Sequence, residues 1–205
     1  MMLVKLKDYE RIHRIISSIA RHEGNDPAYS CMLFSVFGAH ILQQHFNVEP
    51  KVRCGLAAYF VGGENEVLCF GEETENGLTG ALDNFHCWIE VDGWVVDFMA
   101  PAFPALLGSE TPLAPKMFQK RQSDMVTHIN DLKLPGDYFL SPADNLIEDR
   151  LKQFWKYPVY GDLAKICAQW FTKNPKRIRP KIGILDGSGK RVTLNLSGPS
   201  VRARW

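Results

Sequence analysis

The chain has 205 residues, 45% hydrophobic and 23% charged, with a net charge of +1. That is the balance of an ordinary soluble globular protein, long enough for one good core and short for two. No apolar run is long enough to span a membrane, and Met1–Lys5 lacks a signal-peptide core. The five cysteines are odd in number, widely spaced and without a CxxC pair, which argues against a disulfide framework or structural zinc and points to reduced thiols in a cytosol.

Tyr9, Ile12, Ile16 and Ile19 recur at helical spacing and Gly24 ends the run, which predicts a first amphipathic helix. Asp26, Pro27 and Ser30 are helix-start residues. From Met32 to Phe46 the side chains are apolar on nearly every face, so this helix is expected to run buried through the domain. Val52–Val61 and Glu66–Phe70 read as a hairpin around Gly62-Gly63-Glu64-Asn65, and Gly71–Asn84 as a functional or mobile loop. Phe85–Val91 and Trp94–Met99 form a second hairpin around Asp92-Gly93. Ala100–Lys116, with four prolines, reads as a surface loop crossing the sheet, and Met117–Arg121 as a short helix. Ser141-Pro142 caps a helix through about Trp155, and Asp162 opens another through about Phe171 with Pro175 beyond it. Lys181–Leu185 and Arg191–Leu196 close the chain as a hairpin. The expectation is one α+β domain over residues 1–205, with a catalytic-type core at about 25–100 and C-terminal helices and hairpin at about 141–197.

Cys31 falls in the first turn of the buried helix, where free amides and the helix dipole favour a thiolate. Position alone is insufficient. Moving a thiol from about 8.5 to about 5.5 takes roughly 4 kcal/mol, whereas a helix N-terminus gives about 0.3–1 kcal/mol and up to about 2 when partly buried. A neighbouring charge must supply the rest, and an imidazolium is the usual source.

Six histidines compete for that place. His13 and His22 read as surface positions of the first helix, and His128 has no informative neighbours. His40 and His45 ride the Cys31 helix at least about 13 Å away along its axis. His86 differs. With Asp92-Gly93 as the turn, Glu90 faces Val95 and Trp88 faces Asp97, so His86, Trp88, Glu90 and Asp97 project from one face. His86 and Asp97 become diagonal neighbours within reach of a hydrogen bond. A carboxylate there would hold the ring and leave its other nitrogen for Cys31; Glu90 or Asn84 could orient the ring instead. Cys54, Cys69, Cys87 and Cys167 read as core packing.

A cysteine opening a buried helix, followed by His86-Cys87-Trp88-Ile89-Glu90 and Gly93-Trp94-Val95-Val96-Asp97, resembles the transglutaminase-like branch of the papain-like cysteine peptidase superfamily. The resemblance covers about residues 25–100, and the whole chain is similar to an uncharacterised bacterial family of that superfamily. It implies a papain-like fold with the nucleophile helix packed on an antiparallel sheet, and chemistry through a thioester. Cys31 would be the nucleophile, His86 the general base and acid, and Asp97 the orienting acid. No cofactor or metal is implied. For the oxyanion the candidates are the Cys31 amide and Asn25, six positions upstream; Tyr29 and Trp88 are candidate walls of the site.

The expected activity is therefore that of a thiol-dependent amide hydrolase or acyltransferase on an amide- or acyl-bearing substrate, a peptide or an amine. The alternative is a binding or regulatory protein that keeps the fold without turnover. No Lys or Arg occurs from Cys54 to Pro115, a span with ten carboxylates, whereas the tail after Phe171 carries nine Lys and Arg against Asp186 alone. The acidic middle would favour an imidazolium and a basic substrate. The tail reads as a solvated face that complements it; aromatics are not interleaved through it, which argues against nucleic acid.

Overall fold

The computed structural model describes residues 2–62, 66–75, 77–81, 84–107, 113–173 and 177–205. Helix α1 spans Leu6–His22, and a single 3₁₀ turn at Pro27–Tyr29 leads into α2, Cys31–Phe46. Strands β1 (Lys51–Gly62), β2 (Glu66–Phe70), β3 (Glu72–Thr74), β4 (Gly77–Thr79), β5 (His86–Val91) and β6 (Trp94–Asp97) follow. The short helix α3 (Phe103–Leu106), strands β7 (Lys116–Arg121) and β8 (Tyr138–Pro142), and helices α4 (Asp144–Phe154) and α5 (Pro158–Trp170) come next. Strands β9 (Lys181–Leu185), β10 (Arg191–Asn195) and β11 (Ala203–Arg204) end the chain.

The fold is α+β with a predominantly antiparallel sheet. Among the described residues the main sheet has seven strands in the order β11-β7-β6-β5-β1-β2, with β8 also on β1. Only β11 runs parallel to its neighbour, β7. Strand β1, at twelve residues, is long enough for three partners: β5 along Lys51–Gly55, β2 along Ala57–Gly62 and β8 along Gly55–Tyr59. Gly55 pairs with His86 and Ala57 with Phe70, two positions further on, so the end of β2 is brought beside the start of β5.

Helix α2 lies between the sheet and the other helices, packed on β5 and β1 and flanked by α1 and α5. That surround explains its apolar residues on all sides. Gly38 is what lets the helix come so close: a Cβ there would stand 2.4 Å from Cδ2 of Phe98, which is itself buried. Gly38→Val should therefore destabilise the protein by about 1–3 kcal/mol through overpacking, more than its small gain in helix propensity returns. A denaturant midpoint equal to that of the parent would contradict this packing.

Several elements differ from the sequence expectation. Met117–Arg121 is part of β7 rather than a helix, because β6 offers an open edge with which Phe118 to Arg121 pair. Ser141-Pro142 ends β8 instead of capping a helix; α4 starts at Asp144. Helix α5 starts four residues early, with Pro158 at its first position, where the missing amide is no loss. The span Ala100–Lys116 is not all surface: Ala100–Ala102 form a 3₁₀ turn, and Phe103 in α3 is fully buried. The expected loop Gly71–Asn84 contains the β3–β4 pair. The turn residues Gly63, Glu64 and Asn65, and Pro175, lie outside the described residues. His13 is not at the surface; it is buried, with Nδ1–H donating to the Phe98 carbonyl at 2.8 Å.

Candidate active site

Cys31 is the first residue of α2. Asp26 holds the preceding turn, accepting the Ala28 N–H at 2.9 Å. The Ser30 hydroxyl donates to the Asp26 carbonyl at 2.6 Å instead of capping α2. The first-turn amides of α2 therefore lack that cap and face the neighbourhood of the sulfur.

The hairpin of β5 and β6 turns through Asp92 and Gly93, both with positive φ (50° and 73°), as a two-residue turn matched to strand twist requires. Its register pairs Val91 with Trp94, Glu90 with Val95 and Ile89 with Val96. His86 and Asp97 accordingly share a face, and His86 Nε2–H donates to Asp97 Oδ2 at 2.7 Å. The carboxylate is fully engaged: Oδ1 accepts the Met99 N–H at 2.8 Å, and Oδ2 also accepts the Tyr59 hydroxyl at 3.2 Å. Tyr9 donates to the Asp97 carbonyl. Both His86 and Asp97 are buried.

The His86 ring stacks on Phe70, centroids 4.3 Å apart at 22°, with the Tyr59 ring edge-on at 5.8 Å. An aromatic face against the ring favours its cationic form. Nδ1 is buried and makes no hydrogen bond of normal geometry, and Cys31 is the titrating neighbour that acts on the ring besides Asp97. Burial pulls the imidazole pKa down, but the Asp97 carboxylate and the Cys31 sulfur outweigh it and raise it to about 9.

Cys31 is only partly buried, and its thiol is drawn down to about 5. The largest influence is a hydrogen bond from the Cys87 thiol; burial opposes it, and the His86 imidazolium and the Cys87 main-chain N–H add to it. The Cys87 thiol also lies 3.2 Å from Met32 Sδ, but a thiolate is the better acceptor of its one proton. The main-chain N–H is free because Cys54, opposite Cys87, gives its carbonyl to Ala143 N–H at 2.9 Å. Cys54 and Cys87 are thus a non-hydrogen-bonded pair whose main-chain groups point away from each other.

A cleft of about 380 Å³ opens over this group, lined by Cys31 and His86 and walled by Tyr29, Phe70, Phe85, Met99 and Leu106. Asn84 and Cys69 complete one side, and none of the described lining residues is a carboxylate. Attraction for a basic substrate is therefore not built into the described wall. Among the described residues, no group of three or more His, Cys, Asp or Glu is arranged to hold a metal ion.

The structure thus brings together Cys31, His86 and Asp97, with Tyr29 at the mouth, 79% exposed. Asn25 and Trp88 need correction. Asn25 is exposed and absent from the cleft wall; its main-chain N–H donates to the Ala20 carbonyl and closes the end of α1. Trp88 is fully buried in the main core, its indole N–H on Glu90 at 3.2 Å, and does not reach the cleft. Glu90 is held by Arg53 at 3.2 Å and does not orient His86. Cys69, expected in the core, is exposed and lines the cleft. Cys87 and Tyr59 are the partners that the sequence reading missed: β alternation marks both as core, and nothing in their spacing shows what they donate to.

These features define an α+β protein with a cysteine and a histidine at one cleft and a buried carboxylate bonded to the histidine. The chain matches the family described as protein of unknown function DUF2026 over residues 5–205 and belongs to it. It is 42% identical to a crystal structure of a genomics target, covering 100% of this chain and 98% of that one with a TM-score of 0.89. No curated protein matches it. Among the described residues, no helix is long and apolar enough to cross a membrane.

Proposed function

We propose that this protein is a cysteine-dependent amide hydrolase or acyltransferase of papain-like, transglutaminase-like architecture. The observation that carries the reading is the state of His86: Nε2–H is bound to a buried carboxylate, while Nδ1 is buried, without a hydrogen bond, and beside the sulfur of a reachable cysteine. With the thiol near 5 and the imidazole near 9, the pair rests at neutral pH as thiolate and imidazolium.

The Cys31 sulfur attacks the carbonyl carbon of an amide or activated acyl group. Charge that develops on the carbonyl oxygen meets the amides of the first turn of α2, the Cys31 N–H foremost. As the carbon–nitrogen bond breaks, His86 gives its Nδ1 proton to the leaving amine. Water or an amine then attacks the thioester and Nδ1 takes its proton, which restores the starting pair. Asp97, kept in place by Tyr59 and Met99 N–H, fixes the ring through both steps. The described cleft wall suits an uncharged, apolar or aromatic acyl group. Five free thiols fit the reducing cytoplasm in which we place the protein.

The test is the pH profile of kcat/KM on an activated ester or anilide. Below about 5 the thiolate takes up a proton, and above about 9 His86 loses the proton it must donate. The expected profile is a bell with a broad top between those limbs. A rate that climbs steadily with pH to 9, as hydroxide hydrolysis or an ordinary thiol would give, contradicts the proposal.

A further inference from the structure

Cys31 belongs to a row of three thiols. Cys54 and Cys87 face each other across β1 and β5, and Cys31 and Met32 pack against that pair. Cys87 is therefore a neighbour of both other thiols, and its sulfur lies 3.2 Å from Sδ of Met32, the residue after Cys31. Of the three, Cys31 alone is partly exposed and opens on the cleft, whereas Cys54 and Cys87 are buried. Acyl transfer uses the first of these sulfurs and leaves Cys87 beside it with its proton.

We infer that Cys31 is a site of reversible oxidation by hydroperoxides, with Cys87 as its resolving cysteine. The Cys31 thiolate attacks one oxygen of the peroxide, the O–O bond breaks, and with one proton taken up the products are a Cys31 sulfenic acid and water (or an alcohol). The Cys87 sulfur then attacks the Cys31 sulfur and displaces the hydroxyl, which leaves as water with the Cys87 thiol proton. Two thiols have lost two electrons, the peroxide has gained them, and Cys31 and Cys87 are joined by a disulfide. Burial first, then hydrogen bonding to the neighbouring sulfurs, and last their charges, hold Cys87 protonated in the resting protein. Oxidation turns the Cys31 anion into a neutral sulfenic acid, so one of those restraints disappears when the second step needs it. A dithiol reductant reverses the bridge, whereas sulfinic and sulfonic acids at Cys31 would be permanent. This inference needs only a reachable thiolate and its neighbour, and stands whether or not the protein turns over an acyl substrate.

The experiment treats the full-length protein with a small excess of hydrogen peroxide, blocks free thiols, and maps cross-linked peptides without reduction. The expected product joins the Cys31 and Cys87 peptides, and dithiothreitol restores iodoacetamide labelling of Cys31 almost completely. In Cys87→Ala, peroxide should instead leave Cys31 with two or three added oxygens, and recovery should fall by about tenfold or more. Cys31 over-oxidised in the wild type, a Cys54–Cys87 bridge with Cys31 free, or full recovery in Cys87→Ala after enough peroxide to consume its free Cys31 thiol, would each overturn the inference. Should Cys87→Ala fold poorly, the wild-type peptide map decides alone.

Discussion

At pH 6, iodoacetamide should alkylate Cys31 well ahead of the other four cysteines, and His86→Ala should slow it by roughly threefold to tenfold. A thiol near 5 is about nine-tenths thiolate at pH 6, against about 0.3% for one near 8.5. That ratio of about 300 is cut back some thirtyfold or more because nucleophilicity falls with pKa, leaving about tenfold. Since the Cys87 thiol still donates in the variant, the lower end of that range is also expected. Cys69 is the internal control: it is exposed on the same cleft, and partial burial pushes its thiol up rather than down. Equal labelling of Cys31 and Cys69, or labelling of Cys31 that ignores His86→Ala, would contradict the thiolate–imidazolium pair.

Asp97 should separate stability from reactivity. Asp97→Ala strips a buried imidazolium of its carboxylate and leaves the Met99 N–H and the Tyr59 hydroxyl without their acceptor. Breaking a buried pair in this way costs about 3–5 kcal/mol, a large share of a single domain's stability. Asp97→Asn keeps the shape and an acceptor oxygen, so it should fold with a smaller loss. Burial, the first influence on His86, is then opposed by the Cys31 sulfur alone, so the ring holds its proton less firmly and Cys31 labelling at pH 6 should slow. Denaturant unfolding of both variants, together with Cys31 labelling at pH 6, checks the two halves. Asp97→Asn that labels like the parent would show that Asp97 has no part in charging His86.

What could be read in the sequence was what short range decides. Asp92-Gly93 dictates a two-residue turn, the turn dictates the strand parity, and the parity puts His86 and Asp97 on one face eleven residues apart. The largely apolar character of Met32–Phe46 likewise announces a helix buried through most of its length, with its last turn, from Gln43 on, at the surface. The parts that stayed hidden depend on neighbours from elsewhere in the chain. Lys116–Arg121 becomes a strand because β6 has an open edge, which its own residues do not reveal. His13 is buried because the end of the hairpin, at Phe98, passes over α1. Cys87 contributes through a main-chain N–H released by the pairing of Cys54 with Ala143, and through its buried thiol. The arithmetic of the cysteine shift asked for a strong neighbour beyond the helix terminus, and the larger share comes from that thiol with the expected imidazolium behind it.

The most direct test of the proposed chemistry is time-resolved mass measurement of the intact protein mixed with a p-nitrophenyl ester of a short apolar acid. A single acyl group should appear on Cys31 within the first turnover, and then decay as water or an added amine takes it. Cys31→Ala should carry no acyl group at all. An acyl group that settles on Cys69, or wild-type protein that releases nitrophenol no faster than Cys31→Ala, would contradict nucleophilic catalysis by Cys31.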